Sequence, residues 1–347
     1  MNRRRFLAGG AAAISGAISG ATTACASGPR LNVYNWSDYV APDTIANFQR
    51  ETGIRVRYGT YESIPEMLAK VAGGNSGWDV VFPSAEYIQP MRDLGLLQPL
   101  RHEWLPHLDS LDAYFQRPPW DAELRWSVPY MHGGTGIAYQ RGLGTIESWR
   151  ALWDARMAGK ITMLDDPPEV LGACLKLAGF SINSRDPDQL RQAQRMAIEQ
   201  KRLLRAYLNA EVRDQLVAGD IAAAQAWAVT AGQAIAAAPQ RLDFAFPKEG
   251  FARFADTMAI LRESRRAEAA HRFIDYLLRP EVSAAIVQAT QTATANAAAL
   301  KLLPAEIRES PVLYPSAEIL ARGEWLEPQP AATQRLRDRL WTEIKSS

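Results

Sequence analysis

Leu31-Asn32-Val33-Tyr34-Asn35-Trp36-Ser37-Asp38-Tyr39 reads as a β-strand running into two aromatic rings that flank a carboxylate. A buried strand ordinarily ends in small turn residues, and Trp36 and Tyr39 are bulky choices for a turn. Aromatic faces beside an acid suit a cation with an apolar body, because the ring quadrupole and the carboxylate both attract positive charge. The same residues would serve equally well as a Trp/Tyr pair packed beneath a loop. Taken alone, this stretch leaves both readings open.

The segment that follows supplies a context. Residues 31–36 are read as a strand, and Asp43 as the cap of a helix that stops at Gly53. Residues 54–58 form a second strand, residues 65–71 a helix with Pro65 in its first turn, and residues 79–82 a third strand. Strands linked by helices in succession imply a parallel sheet covered on both faces. Open sheets of this kind bind ligands beyond the carboxyl ends of their strands. Trp36–Tyr39 follow the first strand and Ser84-Ala85-Glu86-Tyr87 follow the third, so both segments fall on one edge of one lobe.

The layout recurs further along. Residues 160–164 read as a strand ending in Asp165-Asp166, with Pro167-Pro168-Glu169 opening a helix. A long helix is expected from Asp186-Pro187 to about residue 208, strands at 221–227 and 242–246, another from about 256, and a helix over 268–278 stopped by Pro280. The fold class is therefore α/β with two lobes: residues 30–134 plus 257–312 in lobe 1, and residues 135–256 plus 313–347 in an inserted lobe 2. The hinges are read at His132-Gly133-Gly134-Thr135-Gly136 and at Ala255-Asp256-Thr257. Joined lobes of this design close on a ligand held between them.

Arg3-Arg4-Arg5-Phe6-Leu7-Ala8, followed by a small apolar run, matches a twin-arginine export signal spanning residues 1–26. Ala24-Cys25-Ala26 fits a cleavage site, and Cys25 also offers a lipidation site, although Thr22 stands where a lipobox places Leu. The chain is thus expected in the periplasm. The 39 Lys and Arg nearly cancel the 38 Asp and Glu, which removes the electrostatic case for a nucleic-acid partner. With Cys174 the single cysteine beyond the signal, an exported chain has no internal disulfide and relies on its core. The four histidines lack metal-ligand spacing, so no metal and no cofactor are expected.

Asp166 and Glu169 stand three apart at a strand-to-helix turn. With Pro168 as the first helical residue, both carboxyls can face one cleft. Helix capping explains the pair equally well, and a glycosidase acid pair is a third reading. No Gly-x-Ser-x-Gly elbow, Walker loop or dinucleotide fingerprint occurs, and Cys174 lies in an apolar helical run as a core residue.

Several motifs occur in order: Asn35-Trp36-Ser37-Asp38-Tyr39, Thr60-Tyr61-Glu62-Ser63, Pro83-Ser84, Ser127-Val128-Pro129-Tyr130, Glu147-Ser148-Trp149, Phe246-Pro247-Lys248-Glu249-Gly250, Leu277-Leu278-Arg279-Pro280-Glu281 and Gly323-Glu324-Trp325. This ordered set, covering about residues 31–326, resembles the periplasmic spermidine/putrescine-binding proteins of polyamine ABC transporters. The resemblance implies a type II-like periplasmic binding fold, each lobe a mostly parallel sheet flanked by helices. It also implies capture of a polyamine in the interlobe cleft and delivery to a membrane ABC permease by a monomer that catalyses nothing. Carried over by position, the implied ligand-binding residues are Trp36, Ser37, Asp38, Tyr39 and Ser84 on lobe 1, with Asp166, Glu169, Trp227 and Asp256 opposite. Glu86 stands where many members have an aromatic ring, Phe254 where others have Trp, Asn209 where a small hydroxyl is usual and Thr292 at another aromatic position. Leu326 replaces a glutamine. The site so read gains an acid, with Arg253 a candidate internal partner for one carboxylate. A diverged organic cation, an amino-acid derivative, or a sensor for a membrane receptor remain alternative readings.

Overall fold

The computed structural model describes residues 29–347; the export signal and Cys25 lie outside the described residues. Among the described residues, eleven strands form one mixed sheet. They are β1 (Arg30–Trp36), β2 (Arg55–Tyr61), β3 (Val80–Val81), β4 (Val128–Gln140), β5 (Ile161–Met163), β6 (Leu204–Tyr207), β7 (Ala223–Trp227), β8 (Leu242–Ala245), β9 (Phe251–Ile260), β10 (Ala293–Thr294) and β11 (Gly323–Trp325). The path runs β2-β1-β3-β9-β4-β7-β5-β6, with β8 and β10 on β4 and β11 on β9.

The helices that matter for the site are α1 (Thr44–Thr52), α2 (Ile64–Val71), α3 (Ile88–Asp93), α4 (Pro167–Leu177), α5 (Pro187–Lys201), α6 (Val212–Ala218), α7 (Ala228–Ala237), α8 (Ala267–Leu278) and α9 (Pro280–Thr290). Gly53 ends α1 in the left-handed conformation at φ 70°, open to glycine at no steric cost. Asp43 occupies the N-cap position of α1 but makes no capping bond; its carboxylate accepts from Asn47 Nδ2 at 2.9 Å instead. Ser63 is the working cap of α2, accepting from the Glu66 amide.

The apolar residues gather around two centres. The first holds Leu31, Val33, Phe48, Phe82, Phe273 and Ile274, with Met67, Val81 and Met91 on the other face of the same strands. The second holds Trp149, Leu152, Met163, Leu171 and Leu190, with Val212, Leu216 and Ala231 opposite. Each buried Leu, Ile or Phe contributes about 1.5–3 kcal/mol, so each lobe has its own stabilising core. Strands β4 and β9 serve both: Val128 and Tyr130 enter the first centre while Ile137 and Tyr139 enter the second, and Met258 and Phe251 divide likewise.

Three differences from the sequence reading have physical causes. The sheet is mixed: β1, β2 and β3 are parallel, as are β5, β6 and β7, but β4 and β9 pair antiparallel to each other and to every neighbour except β11, which runs parallel to β9. The glycine-rich run 132–136, read as a hinge, lies inside β4 as paired strand, bonded to β9 from Met131↔Asp256 to Gly134↔Arg253. Glycine is required there because a Cβ at Gly133 would come 2.7 Å from the Phe254 ring, and one at Gly136 would come 2.4 Å from the Ala245 carbonyl. Helix α5 stops at Lys201 rather than near 208, because residues 204–207 leave it to pair with β5 as β6. Leu203 and Leu204 continue the apolar period, and the ladder overrides it.

Candidate functional site

Both lobes present the carboxyl ends of their parallel strands to the same region. Trp36–Tyr39 follow β1 and Ser84–Glu86 follow β3; Asp166 follows β5, Asn209 follows β6 and Trp227 ends β7. This is the position that parallel sheets reserve for ligands.

Asp256 lies within β9, where that strand crosses between lobes, and is 4% exposed. Tyr39 donates its hydroxyl to Oδ2 at 2.7 Å and Ser84 donates to Oδ1 at 2.7 Å. Tyr130 donates in turn to the Tyr39 carbonyl at 2.6 Å, fixing the loop after β1. Burial raises the Asp256 carboxyl to about 6, against the two hydroxyls that favour its ionised form. Tyr39 is thus a buried brace for an acid rather than an open aromatic face.

On the second lobe Asp166 caps α4, its Oδ1 accepting from the Glu169 amide at 3.2 Å. Pro167, not Pro168, opens that helix. Capping and a cleft-facing carboxyl are therefore compatible. Glu169 is 3% exposed, and its Oε1 accepts from Thr135 Oγ1 at 2.8 Å and from Trp227 Nε1 at 3.1 Å. Burial pushes both carboxyls up, with Asp166 raising Glu169 further and the bond from the Glu169 amide pulling Asp166 back.

Glu86 sits in the single turn Ala85–Tyr87 that follows Ser84. Burial raises its carboxyl to about 8; its own amide opposes this, and Asp256, Asp166 and Glu169 add to it. It thus feels the charge of acids from both lobes. Among the described residues, none of these four acids is in an ion pair with a Lys, Arg or His, so the empty cleft offers them no basic counter-ion. Arg253 is not the counter-ion: its guanidinium lies over Trp325 at 4.1 Å. Successive strand residues face opposite ways, which turns Arg253 away from the face shared by Phe254 and Asp256. Among the described residues no three His, Cys, Asp or Glu side chains converge as metal ligands would.

The remaining candidates are placed less uniformly. Trp36 tilts against Tyr61 at 4.6 Å and donates Nε1 to the Phe82 carbonyl at 2.9 Å. Ser37 bonds Glu62. Phe254 packs over Gly133. Asn209 accepts from the Asp165 amide at 3.0 Å, bracing the turn before α4. Thr292 is 1% exposed with its hydroxyl on the Thr290 carbonyl, so it does not join the acids. Asp38 is exposed and faces Arg213 of α6. Thr135 and Gln225, which bonds the Glu169 carbonyl at 2.9 Å, escaped the sequence reading; only the β4–β7 register, with Thr135↔Trp227, reveals them. Cys174 is fully buried with its thiol pushed up to about 12, as its apolar run implies. A surface cavity of about 560 Å³ beside β2, lined by Arg57, Glu66 and Trp78 among others, contains none of the site acids.

Residues 43–313 match the family model for bacterial extracellular solute-binding proteins. The putrescine-binding periplasmic protein PotF of Escherichia coli is 34% identical over 96% of this chain and 97% of its own length. Spermidine/putrescine-binding periplasmic protein 1 of Haemophilus influenzae is 31% identical over 94% of this chain and 92% of its own. A putative spermidine/putrescine ABC transporter structure from Listeria monocytogenes superposes with a TM-score of 0.88 at 29% identity, covering 91% of this chain and 98% of that one.

Proposed function

We propose a function from one premise: the chain belongs to the bacterial extracellular solute-binding proteins. It captures a polyamine between its lobes and delivers it to an ABC permease, as the names of its relatives suggest. The observation that carries this reading is the set of four cleft carboxyls, Asp256, Glu86, Asp166 and Glu169, all raised by burial, Glu86 and Glu169 further by other acids of the set, with no basic partner. Such a set favours a ligand carrying several separated positive charges. Each charge-assisted hydrogen bond contributes about 1.5–3 kcal/mol and each cation–π contact about 0.5–2. Three ammonium groups and the Trp36 and Trp227 rings therefore support about micromolar affinity, about −8 kcal/mol, after ordering costs.

In this reading Asp166 and Glu169 hold one end of the amine, Trp227 fixes Glu169 by its indole N–H, and Asp256 takes a second ammonium. Glu86 takes a third, which favours a triamine such as spermidine over a diamine. Phe254 and Trp36 flank the methylene chain, and Asn209 positions the Asp165 turn. Residues 30–134 with 257–312, and 135–256 with 313–347, move as the two lobes about β4 and β9. The protein works as a monomer without catalysis in the periplasm, reached through the twin-arginine signal of residues 1–26, with Cys25 a candidate lipid anchor.

Titration calorimetry with putrescine, spermidine, spermine and agmatine tests the ligand. Spermidine is expected to bind at about micromolar concentration. If every one of these amines fails to bind at millimolar concentration, the polyamine reading is wrong and the fold assignment stands.

A further inference from the structure

Asp38 is the one acid of the opening segment that the buried set does not use. It adopts φ 53°, a left-handed conformation that Asp tolerates better than most residues, and its side chain is 79% exposed. Its carboxylate Oδ2 lies 3.9 Å from Arg213 Nη1. Arg213 belongs to α6, whose Val212 and Leu216 are buried in the second lobe. Asp38 follows β1, whose core belongs to the first. The pair therefore spans the cleft.

A second contact runs beside it. Arg213 Nη1 also donates to Gln233 Oε1 of α7 at 3.3 Å, and Gln233 Nε2 donates to the Thr290 carbonyl at 2.8 Å. Thr290 ends α9, whose Ile286 is in the first core. The sequence of contacts Asp38–Arg213–Gln233–Thr290 thus begins and ends in the first lobe and passes through the second. Asp214 accepts from Arg213 Nε at 3.0 Å and holds the guanidinium in place.

We propose that Arg213 is an interlobe latch: it pairs with Asp38 across the cleft mouth and, with Gln233, retains the ligand by slowing reopening. This rests on the solute-capture reading, and it takes Asp38 from the ligand's contacts and gives it to closure. The rival is that Asp38 binds a ligand ammonium and Arg213 competes with it. The two differ in sign. Loss of a latch speeds release, whereas loss of a competitor tightens binding.

An ion pair this exposed shifts a rate by a few-fold rather than by orders of magnitude, and salt screens it. Release of spermidine, followed by tryptophan fluorescence in stopped flow at low salt, is expected to be about three- to five-fold faster in Arg213→Ala. Association should stay within about two-fold, since most affinity differences of this kind reside in the dissociation rate. Asp38→Asn should match it, the double variant should be no faster, and the difference should vanish in high salt. Unchanged or slower release in Arg213→Ala overturns the latch; tighter binding assigns Asp38 to the ligand. If no amine binds at all, ligand-free protein still decides by small-angle X-ray scattering. A larger radius of gyration in Arg213→Ala than in wild type at low salt supports the latch, and equal radii overturn it.

Discussion

Glu86 is held protonated at neutral pH by burial and by three facing acids, at about 8. An ammonium placed against it reverses that preference, so binding at pH 7 must expel a proton. Affinity is therefore expected to rise with pH up to about 8 and level off above it. Glu86→Gln should release fewer protons on binding, read by calorimetry in buffers of different ionisation enthalpy, and should reduce the preference for spermidine over putrescine. Unaltered proton release would place the ligand elsewhere. Tyr39 tests the same chemistry from the supporting side. Tyr39→Phe removes one of the two donors to Asp256, so the carboxyl rises further and polyamine affinity falls by about 1 kcal/mol; an unchanged dissociation constant would remove Asp256 from the site.

At the scale of elements, β4 and β9 decide how the lobes are joined. A hinge made of paired strands bends but does not slide, and its glycines are there for packing. Gly136→Ala sets a Cβ 2.4 Å from the Ala245 backbone carbonyl, which cannot move aside as a side chain could. It is expected to destabilise the protein by about 1–3 kcal/mol in urea, while Gly142→Ala, with nothing within 4 Å, should leave stability unchanged. Equal midpoints for the two would mean that β8 does not hold its place against β4. The first three strands and their helices were legible because period, proline and glycine punctuation agree locally. Glu169 and Asp166 were legible as a pair for the same reason. The pairing of residues 204–207 with β5, the extension of β9 back to Phe251 and the Thr135–Glu169 bond were not, since each depends on residues dozens of positions apart. Arg253 misled as a counter-ion because only strand alternation shows which way it faces, and Asp43 because an acid before a helix signals a cap without requiring the bond.

For the whole molecule, an empty cleft lined by acids is a stability cost that pH can relieve. Glu86 and Glu169 titrate near their ordinary carboxyl values when unfolded but are raised in the folded chain. Between pH 8 and 6.5 the folded state therefore binds more protons than the unfolded one, and stability rises as pH falls. His132, lowered by burial to about 4, and His271, also lowered by burial, work the other way; their opposing contribution grows as the unfolded histidines protonate and is greatest below pH 6.5. The ligand-free melting temperature is accordingly expected to increase from pH 8 to 6.5, and Glu86→Gln should flatten that rise. Saturating spermidine works against this trend. Ligand stabilises by mass action, and because its binding expels protons, the shift it produces should be larger at pH 8 than at 6.5. Differential scanning fluorimetry at the two pH values, with and without spermidine, reads both trends. A ligand-free melting temperature that falls on acidification across this window would mean that the cleft acids are not raised in the folded chain, and the argument for a polycation from raised, unpartnered carboxyls would fail with it.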